Sequence, residues 1–304
     1  MSIELEQESA EVKHLSPSKI EGYLLCPEAF RYRYVEKIPE LTGGVMVAGQ
    51  AVHAYIEWAL KLVRAGKPLP SALELDDFFI AEWDRKIKGE EGKRNFVGWR
   101  WDTDDPEAKV KEGFRAIIPT VRADLLPTLR PRFIEEAVKL MYPSDIGDFL
   151  VWGQLDMMDE AGTVWDWKTT KGKVSARARE GWTQFAHYSK FAVEITGAAI
   201  TKIKKTFLVR AAKQPIEIVE FELGPAHREF FARQAAAVWK AVKGGVYPRQ
   251  TEGWNCSRKF CSFFEGCMGD LKKEKPPKAP KEKKPRKPRA AKKKNAVEPA
   301  KETA

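Results

Sequence analysis

Long apolar runs are missing from this sequence: nothing in its 304 residues approaches the roughly 18 consecutive apolar positions that span a bilayer. No secretory leader is expected either, because the opening stretch, residues 1–11, is acidic and polar where a leader would be basic and then apolar. The expectation is a soluble, cytoplasmic protein of a bacterial or phage-infected cell, with no membrane partner. Cysteine is scarce, with four in the chain and none between Cys26 and Cys256. In a reducing compartment so few thiols argue for metal ligation over a disulfide framework. The phosphate-binding run G-x-x-x-x-G-K-[ST] is absent, so no helicase motor of that kind is written into the chain.

Excess charge is also absent from most of the chain. Residues 271–304 hold 14 Lys and Arg against 4 Asp and Glu, which accounts for the whole net charge of +10. The basic balance therefore describes a tail and not a basic folded surface. That tail, rich in Lys, Pro and Ala, cannot bury a core and is expected to be disordered. It suits a polyanion such as DNA or RNA, or serves only to solubilise. The remainder, residues 1–270, reads as one domain; 43% of the chain is hydrophobic, and 10 Trp are present.

Ser16-Pro17 marks a helix start, and Cys26-Pro27 breaks that helix. Val52, Tyr55, Ile56, Ala59, Leu60 and Val63 recur at helical spacing, so 48–64 reads as an amphipathic helix with His53 and Glu57 on one face. Residues 65–130 read as a helical insert, with helices around Phe78–Trp83 and Phe114–Leu126. Within it, Trp99-Arg100-Trp101 either stacks on bases or packs locally. Three short β-branched and aromatic strands follow, over 133–140, 149–158 and 163–169. A helix over 178–196, strands over 205–210 and 216–223, and a helix over 225–242 complete an α/β core.

Chemistry concentrates on the third of these strands. In Asp166-x-Lys168 the two-residue period puts both charges on one face and Trp167 on the other. The same pattern occurs at Glu11, Asp84 and Glu91 with no strand around it, so context is what distinguishes Asp166. It lies among Val164, Trp165 and Trp167, where a charge needs a partner or a metal. Asp156, at the end of Val151–Asp156, is brought beside Asp166 by a hairpin. Two adjacent carboxylates repel, and a hard divalent cation relieves the repulsion. A buried salt bridge with a turn-capping Asp156 would account for the same residues.

Taken in order, Gly153-x-x-Asp156, Asp166-x-Lys168 and Gln184-x-x-x-Tyr188, with His53 upstream, resemble the PD-(D/E)XK nuclease superfamily, in its RecB-like and Cas4-like branch. The resemblance implies a restriction-endonuclease-like core, a central mixed sheet flanked by helices. It implies that His53, Asp156, Asp166 and the main-chain carbonyl of Trp167 hold Mg²⁺ or Mn²⁺. Lys168 would orient or deprotonate the attacking water and offset charge on the phosphate. Gln184 and Tyr188 would contact substrate or site, and Glu57 could add a carboxylate.

The cysteines fall near the two ends, Cys26 and then Cys256-x4-Cys261-x5-Cys267, with Phe260, Phe263 and Phe264 between them. Four thiolates suit tetrahedral Zn²⁺ or a [4Fe–4S] cluster. A distant N-terminal Cys with a C-terminal triplet resembles the iron–sulfur staple of Cas4-type and AddB-type nucleases, with residues 256–267 and Cys26 binding the cluster. The function implied is a metal-dependent DNA nuclease, an exonuclease of recombination or repair acting on linear or single-stranded ends. An annealing protein or helicase would be a separate partner. The alternative is a nucleic-acid-binding protein that keeps the nuclease fold without catalysis.

Overall fold

The computed structural model describes residues 11–102, 104–210, 213 and 215–268. The tail expected over 271–304 lies outside the described residues. No described helix is long and apolar enough to cross a membrane.

Helix α1 (Pro17–Leu25) is capped by Ser16, whose hydroxyl accepts the Lys19 N–H at 3.1 Å, and Pro17 occupies the first turn, where no N–H is needed. Helix α2 (Pro27–Phe30) and a π turn, Arg31–Val35, follow. Strand β1 (Thr42–Gly43) leads into the long helix α3 (Gly44–Arg64), which buries Val52, Tyr55, Ile56, Ala59 and Leu60 along one face. Helix α4 (Ala72–Glu91) opens with a Ser71–Glu74 capping box, and strand β2 (Trp99–Arg100) pairs with β1. Trp101 stacks on Trp83 with ring centroids 6.2 Å apart, so that tryptophan packs locally. One helix was expected over 114–126. Instead α5 (Glu107–Arg115), α6 (Ile118–Thr120) and a π turn, Val121–Leu125, share the stretch, because Pro119 has no N–H to continue a ladder.

The central sheet comprises β3 (Pro131–Tyr142), β4 (Phe149–Asp159), β5 (Val164–Thr170), β6 (Thr201–Val209) and β7 (Ile216–Leu223), in that spatial order. Only β5 and β6 run parallel, and helices α7 (Ala176–Glu180) and α8 (Thr183–Thr196) connect them. The single helix expected over 178–196 is thus two, broken at Gly181-Trp182. Helix α9 (Pro225–Lys243) and the short α10 (Phe264–Met268) are the last elements among the described residues. One apolar core, with Phe149, Leu155, Phe185 and Phe231, joins one sheet face to α1, α8 and α9. The other, with Tyr55, Phe79, Phe114 and Trp167, joins the opposite face to α3, α4 and α5. The protein is therefore an α/β fold whose mixed central sheet is flanked by helices on both faces.

Two features of this sheet create a site. First, β4 and β5 pair only at Met157↔Trp165 and Met158↔Val164, and then fork apart. On the β4 side of the fork the exposed ladder is taken up by Leu15, which bonds Leu150 O at 3.0 Å and receives Trp152 N–H at 2.9 Å. Second, the face alternation slips on β3 and β4 at facing positions. Phe133 joins the first core, yet further along β3 it is Val138, Leu140 and Tyr142 that do so. Between them Glu135 takes φ +49°, a left-handed conformation unusual for a side-chain-bearing residue in a strand. On β4, Val151 and Leu155 face the first core, then Met157 the second and Met158 the first. Asp156 sits at that slip.

Candidate active site

Asp156 and Asp166 occupy the positions immediately past the last β4–β5 pair, where the strands diverge. The Asp156 carboxylate takes over where the ladder stops, its Oδ2 accepting the Trp167 N–H at 2.7 Å. Asp166 Oδ1 accepts from Lys168 Nζ at 2.8 Å and from Gln184 Nε2 at 3.0 Å. The strand period thus places Asp166 and Lys168 on one face, and the first turn of α8 delivers Gln184 to the same oxygen. Asp166 is 5% exposed, and its Oδ2 is fully buried with no hydrogen-bond partner among the described residues. A buried carboxylate oxygen left bare costs free energy unless a proton or cation reaches it.

His53, from the middle of α3, donates Nε2–H to the Trp167 carbonyl at 2.9 Å and holds Nδ1 3.6 Å from Asp156 Oδ1. Five of the residues singled out in the sequence, His53, Asp156, Asp166, Lys168 and Gln184, therefore converge with the Trp167 carbonyl. The Trp167 ring points the other way, 2% exposed in the second core. Glu57 pairs with Lys61 one turn further along α3 and stays at the rim of the cavity. Tyr188 lies deeper, packed against Gly153 and His187. A Cβ at Gly153 would fall 2.9 Å from the Tyr188 ring and 3.2 Å from its hydroxyl, so this glycine makes room for the tyrosine. Gly153→Ala should destabilise the protein by about 1–3 kcal/mol, seen as a lower urea midpoint. An unchanged midpoint would show that the ring has room to move.

Sequence reasoning missed one member of this group. Glu135 on β3 sits opposite Asp156, between the pairs Ile134↔Met157 and Glu136↔Leu155. Ligand atoms of His53, Glu135 and Asp156 all lie within 4.8 Å of one another. A Glu in the run Phe133–Tyr142 carries no signal of its own, since its orientation depends on the left-handed slip. Together with Lys168, Gln154 and Glu57, His53 and Glu135 line a cavity of about 540 Å³. A second cavity, of about 870 Å³, opens on the other side of Gln184 and is lined by Lys205, Arg177 and Trp254.

The electrostatics are those of a crowded acidic pocket. Burial opposes charge on His53, but Asp156 and Asp166 outweigh it and hold the imidazolium up to about 9. Burial also opposes charge on Asp156, yet His53, Lys168 and the Trp167 N–H keep its carboxyl below the usual range. Asp166 is pushed the other way, chiefly by burial and further by Asp156. Burial, then Asp156, pushes Glu135 up to about 7. Desolvation works against the Lys168 ammonium, but Asp166 and Asp156 raise it above its ordinary value. Lys205, which faces Asp166 in the β5–β6 register, donates Nζ to the carbonyls of Ala178 and, at 3.0 Å, Gly181. It thereby ties down the break between α7 and α8.

The donor set fits a divalent cation: two or three carboxylates, one imidazole, one main-chain carbonyl and one orphaned buried oxygen. Cys26, Cys256, Cys261 and Cys267 line one small cavity with Tyr32, Phe263 and Phe264. Burial raises the Cys261 and Cys267 thiols, and Cys26 raises both further.

The PD-(D/E)XK nuclease superfamily profile matches residues 14–268 of the chain. No curated protein matches it. Among solved structures, a protein of Eubacterium rectale described as a "putative exonuclease" superposes with a TM-score of 0.50 at 12% identity, over 80% of this chain and 87% of that one. The protein SSO0001 superposes with a TM-score of 0.38 at 12% identity, over 86% of this chain and 90% of the other. At such identity the first of these likenesses concerns the fold, a restriction-endonuclease-like sheet between helices.

Proposed function

Because the chain belongs to the PD-(D/E)XK nuclease superfamily, we propose that it is a Mg²⁺- or Mn²⁺-dependent deoxyribonuclease, an exonuclease that works on linear or single-stranded DNA ends in recombination or repair. The observation that carries the reading is the bare, buried Oδ2 of Asp166 beside Asp156 at the strand fork. We place the protein in the RecB-like and Cas4-like branch, with an annealing protein or helicase as a separate partner. The nuclease domain covers 1–270, including the helical insert over 65–130, and 271–304 is a basic tail that anchors DNA or serves only to solubilise.

In this reading His53, Asp156, Asp166 and the Trp167 carbonyl hold the cation. Bound there, it supplies positive charge to the scissile phosphate and acidifies the attacking water. Lys168, kept as an ammonium by Asp166 and Asp156, offers charge to the phosphate as the transition state gains negative charge. That favours electrostatic stabilisation over proton abstraction as its role. Gln184 fixes the rotamer of Asp166, and Tyr188 buttresses the start of the fork through Gly153. The four thiols, drawn to one cavity under aromatic cover, support a [4Fe–4S] cluster, with structural Zn²⁺ as the alternative.

The test is digestion of end-labelled linear DNA with Mn²⁺ by the wild type and by Lys168→Ala. Loss of cleavage in the variant supports the assignment. Equal cleavage by both removes Lys168 from the mechanism, and no cleavage by either leaves the nucleic-acid-binding reading. A pH effect follows as well. A cation that uses the His53 nitrogen must displace a proton held up to about pH 9. Mn²⁺ affinity should therefore rise from pH 7 to 9, by up to about tenfold per unit, and calorimetry should register about one proton released. An affinity independent of pH across that range would take His53 out of the ligand set.

A further inference from the structure

Four carboxylates surround the fork: Asp156 and Asp166 at its base, Glu135 across β3, and Glu57 at the cavity rim. Glu57 is satisfied by Lys61, and Asp166 Oδ1 by Lys168 and Gln184. Glu135 has no cation of its own among the described ion pairs, and it shares with Asp156 the one His53 imidazole.

We infer that Glu135 is a further carboxylate of the cation site, completing it from the β3 side together with His53 and Asp156. The inference rests on the nuclease reading above and adds to it a residue from a strand that carries none of the motifs. Three placements support it. The ligand atoms of His53, Glu135 and Asp156 lie within 4.8 Å of one another, the spread that a single ion can span. Asp166, whose buried Oδ2 has no partner among the described residues, lies just across the fork from Asp156, the member of the trio nearest to it in the sheet. Glu135 also lines the same cavity as His53 and Lys168, so the group is reached from solvent on that side.

The backbone explains how a strand residue can join them. Regular alternation would continue the Phe133 face and send residue 135 toward Phe191 and the first core. The φ of +49° at Glu135 breaks the alternation and brings its carboxylate to the cavity instead. A glycine would adopt that φ without penalty, whereas a glutamate adopts it against its own preference. The side chain therefore does something that glycine cannot do.

Titration of the metal-free protein with Mn²⁺, followed by electron paramagnetic resonance and calorimetry, tests this at fixed pH. Glu135→Gln should lower Mn²⁺ affinity by about 10- to 100-fold, with Glu135→Asp recovering part of the loss. Glu135→Gly separates function from structure: it should raise the thermal midpoint of the metal-free protein, and the variant should gain much less from added Mn²⁺ than the wild type does. Unchanged Mn²⁺ affinity in Glu135→Gln overturns the inference and leaves the nuclease reading standing. Failure of the wild type to bind Mn²⁺ at all overturns both.

Discussion

Replacing Asp166 by asparagine should slow DNA hydrolysis by about a thousandfold or more while leaving stability within about 1 kcal/mol of the wild type. The two halves of that expectation come from different oxygens. Oδ1 serves Lys168 and Gln184 as an acceptor, and an asparagine oxygen can do the same. Oδ2 is the bare buried atom, and the amide group that replaces it cannot ligate a cation. The mutation also removes a buried charge that burial and Asp156 already oppose, so the folded state loses repulsion along with attraction. Removing a cation ligand from a water-poor site withdraws charge from a transition state that needs several kcal/mol of it. Activity on linear DNA, circular dichroism and thermal melting measured together decide the matter. Hydrolysis within tenfold of the wild type would show that Asp166 is a structural acid.

Replacing Cys261 by serine should free the segment from about residue 249 to 268 and abolish any colour of the anaerobically purified protein. A four-thiolate metal site contributes on the order of 10–16 kcal/mol at neutral pH, as much as a typical domain's whole stability. The protein contacts that tie it to the rest are modest by comparison: Phe263 on Tyr32 with ring centroids 5.4 Å apart, Arg100 donating to Ser262 Oγ at 3.0 Å, and Arg249 3.6 Å from Glu28. Limited proteolysis should cut the variant between α9 and α10 at sites protected in the wild type. Iron and sulfide in the wild type would identify a cluster, and zinc alone would identify the other occupant. Activity should fall as well, because Gln250, Trp254 and Asn255 wall the 870 Å³ cavity that opens beside Gln184. Protection that persists in Cys261→Ser would mean that packing, not metal, fastens the segment.

How much of this could be read from the sequence depended on whether a feature was periodic. Strand Ile216–Leu223 and helix Pro225–Lys243 emerge where alternation and helical recurrence place them. The convergence of Asp166 with Lys168 follows from a two-residue period, whereas Gln184 was placed at the site only by the family resemblance. What escaped was aperiodic. Glu135 joins the pocket only because one residue has a positive φ, and no residue type announces that in a strand. The split of the helix after β5 arises because a lysine two elements away collects the carbonyls of Ala178 and Gly181. Gly153 reads as part of a motif, but its reason, the Tyr188 ring above it, exists only once α8 lies across β4.

The Lys205 anchor has a consequence for how this pocket works. Since β6 grips the turn ahead of α8, Gln184 is indexed from the sheet and not from a wandering loop, and so is the carboxylate it steadies. Two bonds from one ammonium, to the carbonyls of Ala178 and Gly181, restrain the segment that leads to that amide. The amide and the carboxylate it meets thus form a preset jig, held by the sheet itself.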